Sequence, residues 1–382
     1  MKIGYVSFRL AGYDGVSLEA ERWKQVLSGM GHTVVDIAGE LAGEGELIPE
    51  LHFRQGDAGA AGPEAVEEKF GRVLDRLRPQ AVIVANMWSL PLNLPAATGV
   101  EAAIRKRGIH TVARNHDFWW ERTGLGPFAQ MPPTGGTIKQ VVINSLAGQE
   151  LLNRTGETAK VIGDCFDFAR PWSGPDAYAA NFRADFGVAE GEMLLVQATR
   201  IVPRKQIELA AELTMKLNAA GRKAVLLVAG QAGDEGNGYL SRIRQLADNS
   251  GGRVRIISDR VTQIRQEADG QRTYTLWDCL GAADWMTYPS KAEGFGNQFL
   301  EGIYFRKPIF LNRYEVYKRD LEPLGFKAVT VDGQVSDEKV REMLEWANDP
   351  EKTKAATETN LKIATENFSF AAVEKKLRGL GF

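Results

Sequence analysis

Cysteine is scarce. Cys165 and Cys279 are the only two in 382 residues, far apart and without ligand spacing. This excludes a disulfide framework and a cysteine metal cage, and predicts reduced core thiols in a cytoplasmic protein. No charge of one sign dominates: 47 Lys and Arg face 49 Asp and Glu, a formal net charge of −2. That excludes the basic field expected of a protein whose main partner is nucleic acid or an anionic membrane. No apolar run approaches the roughly 18 residues that span a bilayer, so no transmembrane segment is expected. The opening Met1-Lys2-Ile3-Gly4-Tyr5-Val6 reads as a first strand and not a signal peptide, because no small-residue cleavage site follows. No Gly-x4-Gly-Lys-Ser/Thr loop occurs, which argues against ATP hydrolysis.

What is present is ordinary in proportion, 44% apolar and 25% charged residues, in a chain long enough for two domains. A strand at 3–8, a glycine-containing loop at 9–16, a helix over 18–30 that Ser17 is expected to cap, a stop at Gly31 and a strand at 32–37 form the opening of a doubly wound sheet. The segment 39–62 reads as a loop or short hairpin. Helices over 64–77, 95–106 and 146–153 then alternate with strands at 80–85, 108–113, 138–145 and 160–162. The Pro/Gly-rich passage 171–175 reads as a linker and hinge, giving domains 1–172 and 178–366. The second domain starts with a helix over 178–186 and repeats the alternation. Its strands are expected at 193–199, 224–230, 254–257, 309–311 and 328–331, and its helices over 207–219, 239–249, 273–282 and 337–347. Gln231 to Asp234 reads as a turn. The polar stretch 258–271 has no evident role.

The most informative stretch is 282–308. Ala282 to Pro289 ends like a buried strand. Glu293-Gly294-Phe295-Gly296 turns, and an apolar helical run follows from about Asn297 until Arg306-Lys307-Pro308. Gly294 and Gly296 lack a Cβ, so the backbone there permits positive φ and a close ligand. The helix start offers unpaired N–H groups and a positive dipole end to phosphate. Glu293 and Glu301 put carboxylates on either side, as hydroxyl acceptors flanking phosphate donors. Taken alone, two such glutamates are more often solvated loop and helix residues. The Pro289-Ser290 context and both glycines favour a sugar diphosphate site. A second corner carries cations: Arg200 and Lys205 leave a strand end just ahead of a helix, placed to hold a diphosphate and stabilise its charge as it leaves. Arg204 reads as a surface residue. In the first domain Gly15 either serves a turn or gives a phosphate and an acceptor a bare backbone. Arg114-Asn115-His116-Asp117-Phe118-Trp119-Trp120-Glu121-Arg122 follows a strand and opens a loop with aromatic faces and polar groups suited to carbohydrate. Trp119-Trp120 is also what interface packing would use.

Pro289-Ser290-x-x-Glu293-Gly294-Phe295-Gly296-x4-Glu301-Gly302 resembles the glutamate-x7-glutamate signature of family 4 retaining glycosyltransferases of the GT-B fold. Arg200-x-x-Pro203-x-Lys205 resembles that family's phosphate grip. The chain departs from the pattern at Asn297 (usually Leu), Gly302 (usually Ala), Arg306 and Gln206 (usually Gly), and at Asp14-Gly15, where the family has a glycine pair. The resemblance runs through nearly the whole chain in order, more weakly over 1–150.

It implies an α/β protein of two Rossmann-like domains facing each other across a cleft, with residues 367–382 packing back on the first. It implies transfer of a hexosyl group from a UDP-, GDP- or ADP-sugar to a hydroxyl, with retention at the anomeric carbon and no cofactor. Arg200 and Lys205 would hold the diphosphate, and Phe295 and Gly296 would offer backbone N–H groups to it, with Gly15, Gly294 and Asn297 lining the donor. Glu301 would take the ribose hydroxyls. Glu293 would bind the transferred sugar and steady its positive charge. His116 would touch that sugar near its 6-hydroxyl. Asp117, Trp119, Trp120, Glu121 and Arg122 are candidates for a small polar acceptor such as a sugar, sugar acid or sugar phosphate. The chain has no Asp-x-Asp pair, the metal-binding mark of the other major glycosyltransferase fold, so no metal is expected. Replacing Glu293 or Lys205 by Ala is expected to abolish turnover and leave the fold intact. A nucleotide-sugar epimerase and a non-catalytic two-lobed sugar binder are the alternatives. The sequence is compatible with a homo-oligomer.

Overall fold

A computed structural model describes residues 1–12, 15–53, 61–122, 124–125, 131–232 and 237–382. The readings of Asp14, Gly233 and Asp234 lie outside the described residues. The chain divides into two compact units, Met1–Asp167 with Asn367–Phe382, and Phe168–Glu366.

The first unit is built on strands β1 (Lys2–Ser7), β2 (Thr33–Ala38), β3 (Glu46–Leu47), β4 (Ala81–Ala85), β5 (His110–Asn115), β6 (Ile138–Val142) and β7 (Ala159–Val161). They pair in parallel in the order β3-β2-β1-β4-β5-β6-β7. Helices α1 (Gly15–Gly29), α2 (Pro63–Leu77), α3 (Leu94–Arg107) and α4 (Ser145–Thr155) connect them. Parallel strands are covered on both faces, which is why β4 reads Ala-Val-Ile-Val-Ala and is buried throughout. On α2, Val66, Phe70 and Leu74 recur every fourth residue and form its buried stripe. Asn93 and Asn144 cap α3 and α4 by accepting the amides of Ala96 at 3.1 Å and Ala147 at 2.7 Å.

The second unit has strands β8 (Met193–Gln197), β9 (Ala224–Val228), β10 (Val254–Ile256), a hairpin of β11 (Gln266–Ala268) and β12 (Gln271–Thr273), then β13 (Trp285–Tyr288), β14 (Ile309–Asn312) and β15 (Val329–Val331). The six-stranded sheet is again parallel, in the order β10-β9-β8-β13-β14-β15. Its helices are α5 (Phe182–Asp185), α6 (Ile207–Ala219), α7 (Asn237–Asn249), α8 (Leu276–Ala282), α9 (Asn297–Tyr304), α10 (Asp337–Asn348) and α11 (Pro350–Phe368). The last helix, α12 (Phe370–Arg378), belongs to the first unit. There Val373, Leu377, Leu380 and Phe382 share a buried cluster with Trp23 and Leu27 of α1.

Several sequence expectations are corrected. Helix α1 starts at Gly15, so Ser17 lies inside it and its hydroxyl donates to the Ala11 carbonyl at 3.5 Å instead of capping. The segment after β2 supplies a third parallel strand, not a hairpin. The helix expected over 178–186 is a 3-10 turn followed by the four-residue α5. The helix expected from 273 starts at Leu276, because Thr273 belongs to β12 and Thr275 forms the cap. β5 runs on to Asn115, so Arg114 and Asn115 are buried strand residues and not part of the following loop. The polar stretch 258–271 carries most of the hairpin, anchored by Tyr178, whose hydroxyl bonds to the carbonyls of Gln266 at 2.7 Å and Thr273 at 3.0 Å.

Candidate active site

In each sheet the strand order reverses at one place, between β1 and β4 and between β8 and β13. Ligands of open α/β sheets bind beyond the strand ends at such points. In the second unit the loops after β8 and β13 carry Arg200 to Gln206 and Pro289 to Gly296.

These loops are tied together. Gln197, buried at the end of β8, donates to the Lys205 carbonyl at 3.0 Å. The Lys291 amide donates to the Arg204 carbonyl at 2.8 Å. Asn312, at the end of β14, donates to Gln206 Oε1 at 3.2 Å and to the Ser290 carbonyl at 3.1 Å, and accepts the Gly333 amide at 2.8 Å. Gln206 itself takes the left-handed conformation, with φ of +46°. That explains the glycine usual at this position in the resembling family.

Glu293 sits between two cations. One oxygen contacts Lys205 Nζ and the other accepts from Arg204 Nη1 at 3.0 Å. Its side chain is 9% exposed, against 10% for Lys205 and 36% for Arg204. Burial drives the Glu293 carboxyl upward, but the charges of Lys205 and Arg204 outweigh it and hold the group below the ordinary 4.5. Burial also holds the Lys205 ammonium below its ordinary range, against the pull of Glu293. The direction for Glu293 makes it an ionised carboxylate at neutral pH. The Tyr288 ring lies 5.5 Å from Lys205 Nζ. Arg200 is exposed, and its guanidinium has no hydrogen-bond partner among the described residues.

Gly296 opens α9 with φ of +135°. Phe295 is buried beside it, and its carbonyl accepts the Tyr314 hydroxyl at 2.6 Å. Gly294 is exposed, and Asn297 and Glu301 are half-buried on the loop and first turns of α9. The structure therefore joins Lys205 directly to Glu293 and sets the glycine turn and α9 immediately after that carboxylate.

Arg204, read as a surface residue, is a partner of Glu293 instead. No local pattern announces a contact across 89 positions. Gln197 and Asn312 were equally silent in the sequence. The pairing also alters the expectation that removing Glu293 or Lys205 leaves the fold untouched, since each is the other's buried counter-charge. Arg204→Ala is the mild counterpart. Lys205 keeps Glu293, so a loss of at most about 1 kcal/mol is expected for this partly exposed pair, with a raised donor KM. Thermal melts and donor titrations check both.

In the first unit Gly15 is the exposed first residue of α1. His116 and Asp117 are half-buried just past β5. Asn86, left-handed at φ +55° beyond β4, accepts the His116 amide at 3.0 Å and donates to Asp117 at 3.1 Å. Asp117 also pairs with Arg122 at 2.5 Å. Glu121 accepts the Phe118 amide at 2.6 Å. Trp120 stacks on Phe118 with centroids 4.3 Å apart and lies under Arg154, while the Trp119 indole donates to the Met131 carbonyl at 3.2 Å. Both indoles are thus engaged in packing within their own unit. Burial, then the charge of Arg114, holds His116 well below the ordinary 6.5, so its imidazole is neutral at neutral pH. Among the described residues no group of three or more His, Cys, Asp or Glu side chains is arranged to hold a metal ion, and no helix is long and apolar enough to cross a membrane.

Two parallel doubly wound units of this kind define the GT-B class of glycosyltransferases. The Anabaena protein HepE, solved in complex with UDP-glucose, superposes with a TM-score of 0.71 over 99% of this chain and 98% of its own, at 13% identity. Residues 179–362 match the model of the family described as glycosyl transferases group 1. The mannosylglucosylglycerate synthase of Thermotoga maritima is 31% identical, with 98% of each chain covered. That of Petrotoga mobilis is 30% identical over 89% of this chain and 88% of its own. The chain belongs to the group 1 glycosyltransferase family.

Proposed function

We propose that the protein transfers a hexosyl group from a nucleotide-diphosphate sugar to a hydroxyl of a small polar acceptor, with retention of anomeric configuration. The observation that carries this reading is the buried contact of Glu293 with Lys205, flanked by Arg204, at the switch point of the second sheet. A diphosphate arriving there meets Lys205 and the exposed Arg200, with the amides of Phe295 and Gly296 and the positive end of α9 alongside. With the diphosphate on Lys205, Glu293 keeps Arg204 and turns an oxygen to the sugar hydroxyls. Its negative charge steadies the cationic anomeric carbon. Glu301 takes the ribose, Gly15, Gly294 and Asn297 line the donor, and neutral His116 meets the transferred sugar.

As the bond from the anomeric carbon to phosphate oxygen breaks, its electron pair leaves with the diphosphate. The acceptor oxygen forms the new bond on the same face, and its proton passes to the departing phosphate oxygen, so no side-chain base is needed. Asp117, Glu121 and Arg122 offer the acceptor polar contacts. The names of the two relatives support a mannosyl donor and a glucosylglycerate acceptor.

The test is incubation of the full chain with GDP-mannose, UDP-glucose or ADP-glucose, each with and without glucosylglycerate, followed by NMR of the product. An α-linked product from an α-linked donor, formed only when both substrates are present, is expected. Conversion of a donor alone would point to epimerisation. Nucleotide-induced stabilisation in melts without turnover for any pair would point to a sugar binder.

A further inference from the structure

Arg114 is a fully buried cation whose position packing alone does not explain. Its guanidinium lies 3.8 Å from the centroid of the Trp23 ring, and Nη2 donates to Glu19 Oε2 at 3.0 Å and stands 3.8 Å from Asp164 Oδ1. Nη1 is buried with no hydrogen-bond partner among the described residues. A buried cation with an unmatched donor is costly, and an apolar side chain of similar volume commonly fills such a place as well or better.

The remaining donor, Nε, points at His116 Nε2 from 3.3 Å. A guanidinium has donors only and does not deprotonate in proteins. His116 Nε2 must therefore accept, which leaves the ring neutral and its single proton on Nδ1. The backbone is fixed as well: the His116 amide is held by Asn86 Oδ1, which also takes the Ser89 hydroxyl at 2.9 Å. Asn86 maintains a left-handed backbone to do this, a conformation sustained where surrounding structure enforces it.

Building on the assignment of His116 to the transferred sugar, we propose that Arg114 is a positioning residue. It locks His116 in the neutral Nδ1–H form, so that the ring presents a donor, and a sugar oxygen accepts from it. Glu19 and Asp164 in turn hold Arg114 in place.

Nitrogen NMR of the full-length chain carrying labelled histidine tests this without any substitution in the network. The four histidines are distinguished by the signal lost in His116→Asn. A protonated Nδ1 with an unprotonated Nε2 at neutral pH is expected; protonation at Nε2, or an imidazolium, overturns the proposal. Activity gives the second measurement. Asn places its amide N–H near the Nδ1 position and Gln near Nε2, facing Arg114. His116→Asn is expected to keep transfer within about tenfold of wild type, and His116→Gln to lose about a hundredfold. The reverse order overturns the proposal. Wild-type turnover in both variants, with the Nδ1–H form observed, would leave the tautomer standing while removing His116 from the sugar and Arg114 from any positioning role.

Discussion

Glu293→Gln is expected to cost the second unit about 3–5 kcal/mol, because it leaves the buried Lys205 ammonium without a counter-charge. Lys205→Met should cost less. It removes the charge that burial opposes, and Glu293 still has Arg204 at 3.0 Å. The double variant should recover part of the loss of Glu293→Gln, the signature of coupled partners. Urea or thermal unfolding of the three proteins gives the order; Lys205→Met proving the more damaging would show that Arg204 alone does not hold the buried carboxylate. Both single variants should lower transfer by about 10²–10³-fold, as loss of a preorganised charge does. The acid limb carries the same information. The folded-state pKa of Glu293 is depressed below 4.5, so its contribution is present above 4.5 and lost as pH falls through the folded value. Wild type should therefore lose melting temperature more steeply below pH 4.5 than Glu293→Gln does.

Gly296→Ala is expected to disable the enzyme while leaving the remainder of the second unit folded. An added Cβ would lie 2.8 Å from the Tyr314 hydroxyl and 3.4 Å from both the Tyr288 hydroxyl and Phe299 Cβ. The φ of +135° is one that L-residues rarely adopt, at about 1–3 kcal/mol. Tyr314 cannot move away without giving up its bond to the Phe295 carbonyl, worth about 1 kcal/mol more. The loop must then rebuild, and the amides at the head of α9 turn away from the phosphate position proposed above. Gly302→Ala is the control. Its Cβ meets the Sδ and Cε of Met286, the flexible end of a side chain, at 2.6 and 2.5 Å, and alanine strengthens a helix interior by up to about 1 kcal/mol. Near-wild-type melting and activity are expected for Gly302→Ala. Equal behaviour of the two variants in activity assays would show that the turn at Gly296 has no special role.

Both sheets were legible because parallel strands buried on two faces leave unbroken apolar runs, as in Met193 to Gln197 and Ala224 to Val228. The glycine turn ahead of α9 was legible because strand, turn and helix follow one another without a gap. Helix α11 was not. Its sequence is dense in Lys, Glu and Thr and shows no apolar stripe, so only tertiary packing makes its nineteen residues visible. Arg114 and Asn86 were missed for a different reason. Their importance lies in what they touch across the sheet, and a basic residue at the end of an apolar strand looks like the start of a loop. Arg204 beside Lys205 likewise carried no mark to separate the cation that grips Glu293 from one that points to water.

The first unit draws residues from both sides of the second: Met1–Asp167 and Asn367–Phe382 form one body, and the stretch between them forms the other. His110 and Lys139 of the first unit both contact the Leu380 carbonyl, at 2.9 and 3.1 Å. The cluster around Trp23 and Leu27 is completed only when Val373, Leu377, Leu380 and Phe382 join it, so the first unit closes its core across the whole length of the second. Separating α12 from the body it packs on would therefore open the core of the first unit while removing nothing from that of the second.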